Sequence, residues 1–154
     1  MTVKVEDDAE NYEKLMKELE YLSSHVIHIG VLSDDEVDGI TVKEYSLYLE
    51  FGTEHIPARP FFRTATQTQK ARNKIADYME NELEEVINLN KTAKQAMDAT
   101  GMYVKGLIQK SILDGDWTDN APGTIAQKGK NQPLVDTTTL LKSIDYEIKK
   151  RSEV

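Results

Sequence analysis

Three histidines, one acidic turn and a block of segregated charges are the residues that could do chemistry in this chain. His25 and His28 would point to opposite faces of a strand, and no helix carries the paired histidines of a zinc protease. Asp34, Glu36, Asp38 and Gly39 fit the first, third, fifth and sixth places of a calcium loop. The twelfth place, which needs a bidentate glutamate, holds Tyr45. The turn therefore reads as a solvated, mobile loop near residues 33–41. There is no phosphate-cradling glycine loop, nucleophile elbow or kinase set. Acid pairs such as Glu84-Glu85 read as solvated surface on a chain of net charge -8. No catalytic, metal or cofactor site is expected.

Charge placement says more. Arg59, Arg63, Lys70, Arg72 and Lys74 run without an acid between them, and Asp77, Glu80, Glu82, Glu84 and Glu85 follow. A lone helix favours the reverse order, acid first and base last. Like charges at Lys70/Lys74 and Glu80/Glu84 also repel at i,i+4. Such charges could meet partners within the same fold. Alternatively, the basic half of one subunit faces an acidic surface of its neighbour, a contact that closes a ring when the rotation permits.

These residues need elements to place them. Tyr12, Leu15, Met16, Leu19 and Leu22 make an amphipathic helix over residues 9–23, after a short strand at 2–5. His25–Leu32 reads as a strand with Ile27, Ile29 and Val31 on one side, and Gly30 could allow close backbone approach. Residues 42–51 form a short helix with Tyr45, Leu49 and Tyr48 inward. Gly52 then supplies a positive φ beyond the last turn, and Pro57 and Pro60 stiffen a corner, with Pro60 suited to the first position of the next helix. Helical spacing runs from Phe61 to about Asn88, weakened between Thr66 and Lys74, an extent of about 40 Å. Asn88-Leu89-Asn90 reads as a turn into an antiparallel helix ending near Leu113, where Gly101 and Gly106 could mark close packing. A long loop spans about 114–135, and Asp136 or Thr137 caps a short helix through Leu141. Ile144, Tyr146 and Ile148 alternate with charged residues, the clearest strand signal, and pair antiparallel with His25–Leu32. The expected fold is α+β, one domain over residues 1–154: long helices packed on a small antiparallel sheet, with an extended loop.

A chain of 154 residues can bury a real core, although its hydrophobic share of 39% is low beside a charged share of 30%. Its acidity disfavours a protein that grips nucleic acid phosphates throughout. The absence of cysteine excludes disulfides and thiolate metal sites and fits a reducing cytosol. No apolar run approaches a membrane span, and the N-terminus lacks a signal peptide's apolar region. The expectation is a soluble protein made in the cytoplasm, without membrane contact.

Glu50-Phe51-Gly52-Thr53, followed by Pro57-Ala58-Arg59-Pro60-Phe61-Phe62-Arg63, resembles a signature of small head–tail connector and tail-completion proteins of long-tailed bacteriophages. Trp117, Pro122, Thr124-Ile125, Lys128-Gly129, Pro133-Leu134-Val135-Asp136-Thr137, Leu140 and Ser143-Ile144 resemble that family's second pattern. Together the two blocks cover roughly residues 25–148. Thr138 departs from the family's usual glycine and disfavours a positive φ there. The resemblance implies a non-enzymatic virion protein, an oligomeric ring at the neck or completing the tail. Its partners would be the portal-adaptor complex and the tail-tube or tail-terminator proteins, with DNA only as passing cargo. An acidic lining would let DNA slide without sticking. A small acidic phage-encoded regulator of a host protein is the alternative. On either reading Phe51, Phe61, Phe62, Leu134 and Leu140 are expected in the core, while Gly52, Pro60 and Asp136 shape turns and caps. Arg59, Arg63 and Trp117 are expected at intersubunit contacts, since Arg and Trp anchor interfaces, with Arg72, Lys74, Glu80 and Glu84 beside them.

Overall fold

The computed structural model describes residues 8–129 and 138–154. Its elements run α1 (Ala9–Ser24), β1 (His25–Val31), β2 (Glu36–Val37), β3 (Ile40–Thr41), α2 (Val42–Phe51), α3 (Phe61–Thr66), α4 (Gln69–Ile87), α5 (Ala93–Asp114), α6 (Pro122–Lys128), α7 (Thr138–Ser143) and β4 (Ile144–Lys150). This is the expected α+β fold. The expected strand at 2–5 lies outside the described residues, as do Pro133, Leu134, Asp136 and Thr137.

Helix α5 is the spine. Thr92 and Gln95 exchange side-chain and backbone hydrogen bonds in a capping box at its start. Gly101 lies under Tyr146, so close that an added Cβ would sit 2.3 Å from the ring. Further along the same pair of elements, Lys105 meets Asp145 at 3.0 Å and the Gln109 side chain donates to the Leu141 carbonyl. These contacts lay α5 across β4, which pairs antiparallel with β1 in the register Ile27↔Ile148, Ile29↔Tyr146 and Val31↔Ile144. The expected pairing is present, and one helix covers the two strands that alone would be marginal. Gly30 meets nothing within 4 Å of a built Cβ, so close approach is not its purpose.

The main core joins Leu49, Phe61, Val104, Ile108, Leu140 and Ile144. A second cluster at the α4–α5 turn holds Val86, Ala93 and Ala96 under Tyr21 and Leu22 of α1. There α1 is further pinned by Glu18, whose carboxylate accepts from the Ala93 amide at 2.6 Å.

Three expectations change. The acidic segment at 33–41 is not simply a loop: Glu36–Val37 pairs with Ile40–Thr41, and Asp38 and Gly39 both take positive φ, 54° and 79°. Both central residues of a type I′ hairpin turn need this, and Asp-Gly is a favoured pair for it. The 40 Å helix is also absent. Thr68 caps a new helix by accepting from the Ala71 amide, which separates α3 from α4. The polar stretch after Thr66 gave the stripe nothing to bury, so a capping residue wins over continuation. Finally, α6 interrupts the long loop, with Pro122 in its first turn and Gly129 closing it at φ 69°.

Candidate functional site

The corner between α2 and α3 is built from backbone outward. Gly52 ends α2 at φ 75°, where an added Cβ would lie 2.9 Å from the Ala58 nitrogen. Thr53 Oγ1 accepts from the His55 and Ile56 amides, and the Arg59 amide donates to the Leu49 carbonyl at 2.6 Å. Pro60 stands one residue before α3 rather than in its first position, and so offers no side-chain cap. Glu50 takes over that task from the last turn of α2. Its buried carboxylate accepts from the Phe62 amide at 2.9 Å, the Arg63 amide at 3.0 Å and Arg63 Nε at 2.9 Å. A carboxylate at a helix N-terminus satisfies orphan donors and the helix dipole together. Arg63 also donates to the Glu50 carbonyl and lies over the Phe51 ring at 4.8 Å.

This geometry reassigns several residues. Arg59 is 5% exposed, so it is held inside the fold rather than presented to a neighbour. Its guanidinium donates to the Thr118 and Asp119 carbonyls and to Asn120 Oδ1, tying the corner to the segment after α5. Burial lowers its pKa below the usual guanidinium value, and Tyr45 opposes that fall. Trp117 is half-buried, stacked against Gly115, with its indole N–H donating to the Ser111 carbonyl at 3.1 Å. Both residues therefore work as internal ties. Phe51 is the opposite correction: expected in the core, it is 63% exposed. Leu49 and Val42 take the inward side of α2, which turns Leu47 and Phe51 outward. Phe61 and Leu140 are buried as expected, and Phe62 is half-buried against the core.

Arg72, Lys74, Glu80 and Glu84 are exposed, and no ion pair among the described residues holds them. They do not share one face. At about 100° per residue Arg72 falls beside Ala76 and Leu83, whereas Lys70 and Lys74 line a hollow with Thr64 and Leu107. Glu82, by contrast, is buried and accepts from Lys91 across the α4–α5 turn.

What the sequence reading missed is the apolar surface left outside. Tyr12, Met16 and Leu19 of α1 are 65, 47 and 38% exposed, although their spacing suggested an inward face. Met79, Leu83 and Ile87 make a similar stripe on α4. A groove of about 370 Å³ lies beside Ile29, Val31, Leu47, Phe51 and Phe62, with Lys43 and Arg63 among its walls. The signal for it was present in Leu47 and Phe51, spaced i,i+4 and offset from the buried face of α2.

The histidines remain apart. His25 stacks on Tyr21 at 3.8 Å, His28 stands opposite Glu147 on β4, and the His55 amide donates within the corner. Among the described residues no three His, Asp or Glu side chains gather as a metal site, and no helix is long and apolar enough to cross a membrane. Compared with known protein families, curated proteins and solved structures, the chain gives no match.

Proposed function

We propose that this chain is a non-enzymatic structural component of a long-tailed phage particle. It would form part of the neck, or complete the tail before head–tail joining, as an oligomeric ring around the DNA channel. The portal-adaptor complex and the tail-tube or tail-terminator proteins are its proposed neighbours. The observation that carries this reading is the apolar surface left outside on α1, α2 and α4. Contiguous exposed apolar patches mark interaction surfaces. The corner supports it too, because the Glu50 carboxylate and the Arg59 guanidinium are both engaged in holding backbone groups. A net charge of -8 suits a channel through which DNA passes without adhering.

The test is to purify phage particles, locate the chain by mass spectrometry and cryo-electron microscopy, and delete its gene. Its presence at the neck or tail end, with unjoined heads and tails after deletion, is the expected result. Its absence from particles that still join normally would overturn the reading. Binding to one identified host protein, with loss of that protein's activity, would then favour the regulator.

A further inference from the structure

The inward side of α4 is settled within the chain: Ala71, Glu82 and Val86 are buried, Glu82 holds Lys91, and Tyr78 stacks on Tyr103. On the flank turned away, Met79, Leu83 and Ile87 are 46, 39 and 51% exposed, and Glu80 and Glu84 line the same surface. At about 100° per residue Arg72 and Ala76, both exposed, continue that stripe toward the start of the helix. The side chains of Arg72, Glu80 and Glu84 enter no ion pair among the described residues. Base before acid is also the order that opposes the dipole of a lone helix. The stripe is therefore apolar along its middle, with an unpaired cation toward one end and two unpaired acids toward the other.

We propose that this face of α4 packs on the same face of a second copy of the chain, with the two helices antiparallel about a two-fold axis level with Asp77 and Tyr78. Ala76 then meets Met79 of the second copy, and Leu83 covers the aliphatic stem of Arg72. The Arg72 guanidinium extends past the stripe to Glu80 and Glu84 of the other helix. The charges select this direction. Antiparallel packing sets the basic half of each helix beside the acidic half of the other, and joins opposite ends of the two dipoles. A parallel pair would set Arg72 against Arg72 and hold the acids level with one another. Lys70 and Lys74 offer another basic surface, but their hollow is walled by threonines, buried alanines and Leu107, too little to cover Met79, Leu83 and Ile87. A two-fold contact is complete at two copies. It describes the free chain, leaves ring contacts to other surfaces, and does not rest on the neck reading.

Sedimentation velocity of the full chain between about 1 and 200 μM should show a concentration-dependent monomer–dimer equilibrium. Arg72→Glu, and separately Glu80→Lys/Glu84→Lys, should each weaken the dimer at least about tenfold, because like charges then meet across the contact. The second of these lowers the net negative charge, so a loss there cannot come from general repulsion between acidic chains. The triple variant Arg72→Glu/Glu80→Lys/Glu84→Lys restores opposite charges only when the helices run antiparallel, and should recover the dimer. Leu83→Ser, which changes no charge, should also weaken it severalfold, whereas Lys70→Ala/Lys74→Ala should leave it near the parent chain. Circular dichroism checks that each variant folds, and all the substituted positions are exposed. A chain that stays monomeric over the whole range overturns the proposal. So does a dimer indifferent to the α4 charge reversals, a triple variant that stays weakened, or a dimer lost with the lysine pair instead of Arg72. A monomeric chain still found at the neck would reject the contact and leave the neck reading standing, and a dimer absent from particles would do the reverse.

Discussion

At the scale of single residues, Glu50 shows how a motif position can be structural without being apolar. Its carboxylate replaces the cap that Pro60 cannot supply, and it neutralises Arg63 in the same place. Glu50→Ala leaves two helix-start amides and a guanidinium without their acceptor, an expected loss of about 3 kcal/mol. Chemical denaturation should show this, together with a fall in Tm of roughly 10 °C for a chain of this size. Gly101 is the steric counterpart. Gly101→Ala places a methyl group into the Tyr146 ring, and overpacking of that kind costs about 2 kcal/mol. An unchanged denaturation midpoint would mean that the α5–β4 contact is looser than described.

At the scale of elements, the important ties join pieces far apart in sequence. Arg59 holds residues 118–120 across about sixty positions through carbonyl and amide oxygens. Arg59→Met keeps the aliphatic bulk but removes the donors, so amide exchange and protease cleavage should rise around Trp117–Asn120 before the rest of the chain opens. Asp145 connects β4 to α5 through Lys105, whose hydrogen bond holds its carboxyl below the usual range, aided by the Tyr146 amide. A carboxyl with a lowered folded-state pKa contributes stability that is present above its unfolded value and lost as pH falls through the folded one. In Asp145→Asn that part of the acid sensitivity should vanish, seen as a smaller stability difference between pH 6 and pH 3. Because the pair is largely exposed, the effect is small and weakens further in salt.

At the scale of the molecule, α5 threads the main core and also anchors the second cluster, so the parts should unfold together. Ile108 is fully buried in that core, and Ile108→Ala is expected to cost about 3 kcal/mol in lost contacts and cavity. Trp117 fluorescence and far-ultraviolet circular dichroism should report one coincident transition in both proteins. Separated transitions would show that the α4–α5 turn and its cluster form an independent unit.

The sequence by itself determined the helices α1, α2 and α5, the two long strands and their pairing, and the positive φ at Gly52. Apart from that pairing, each is a local matter: period, cap residue, or the lack of a Cβ. The break at Thr68 and the Asp38-Gly39 hairpin were also written locally, in a capping threonine and a turn dipeptide, but a helical stripe obscured the first and a run of acids suggested a solvated loop in place of the second. Only the tertiary structure decided which apolar stripes were buried. Leu49 and Phe51 differ little in hydrophobicity, yet α2 can turn only one side toward α7 and the main core, and Phe51 lies on the other. The fates of Arg59 and Trp117 were decided in the same way. Whether a guanidinium or indole faces a neighbour or an internal carbonyl depends on which distant backbone groups are left without partners, and spacing along a chain does not carry that information.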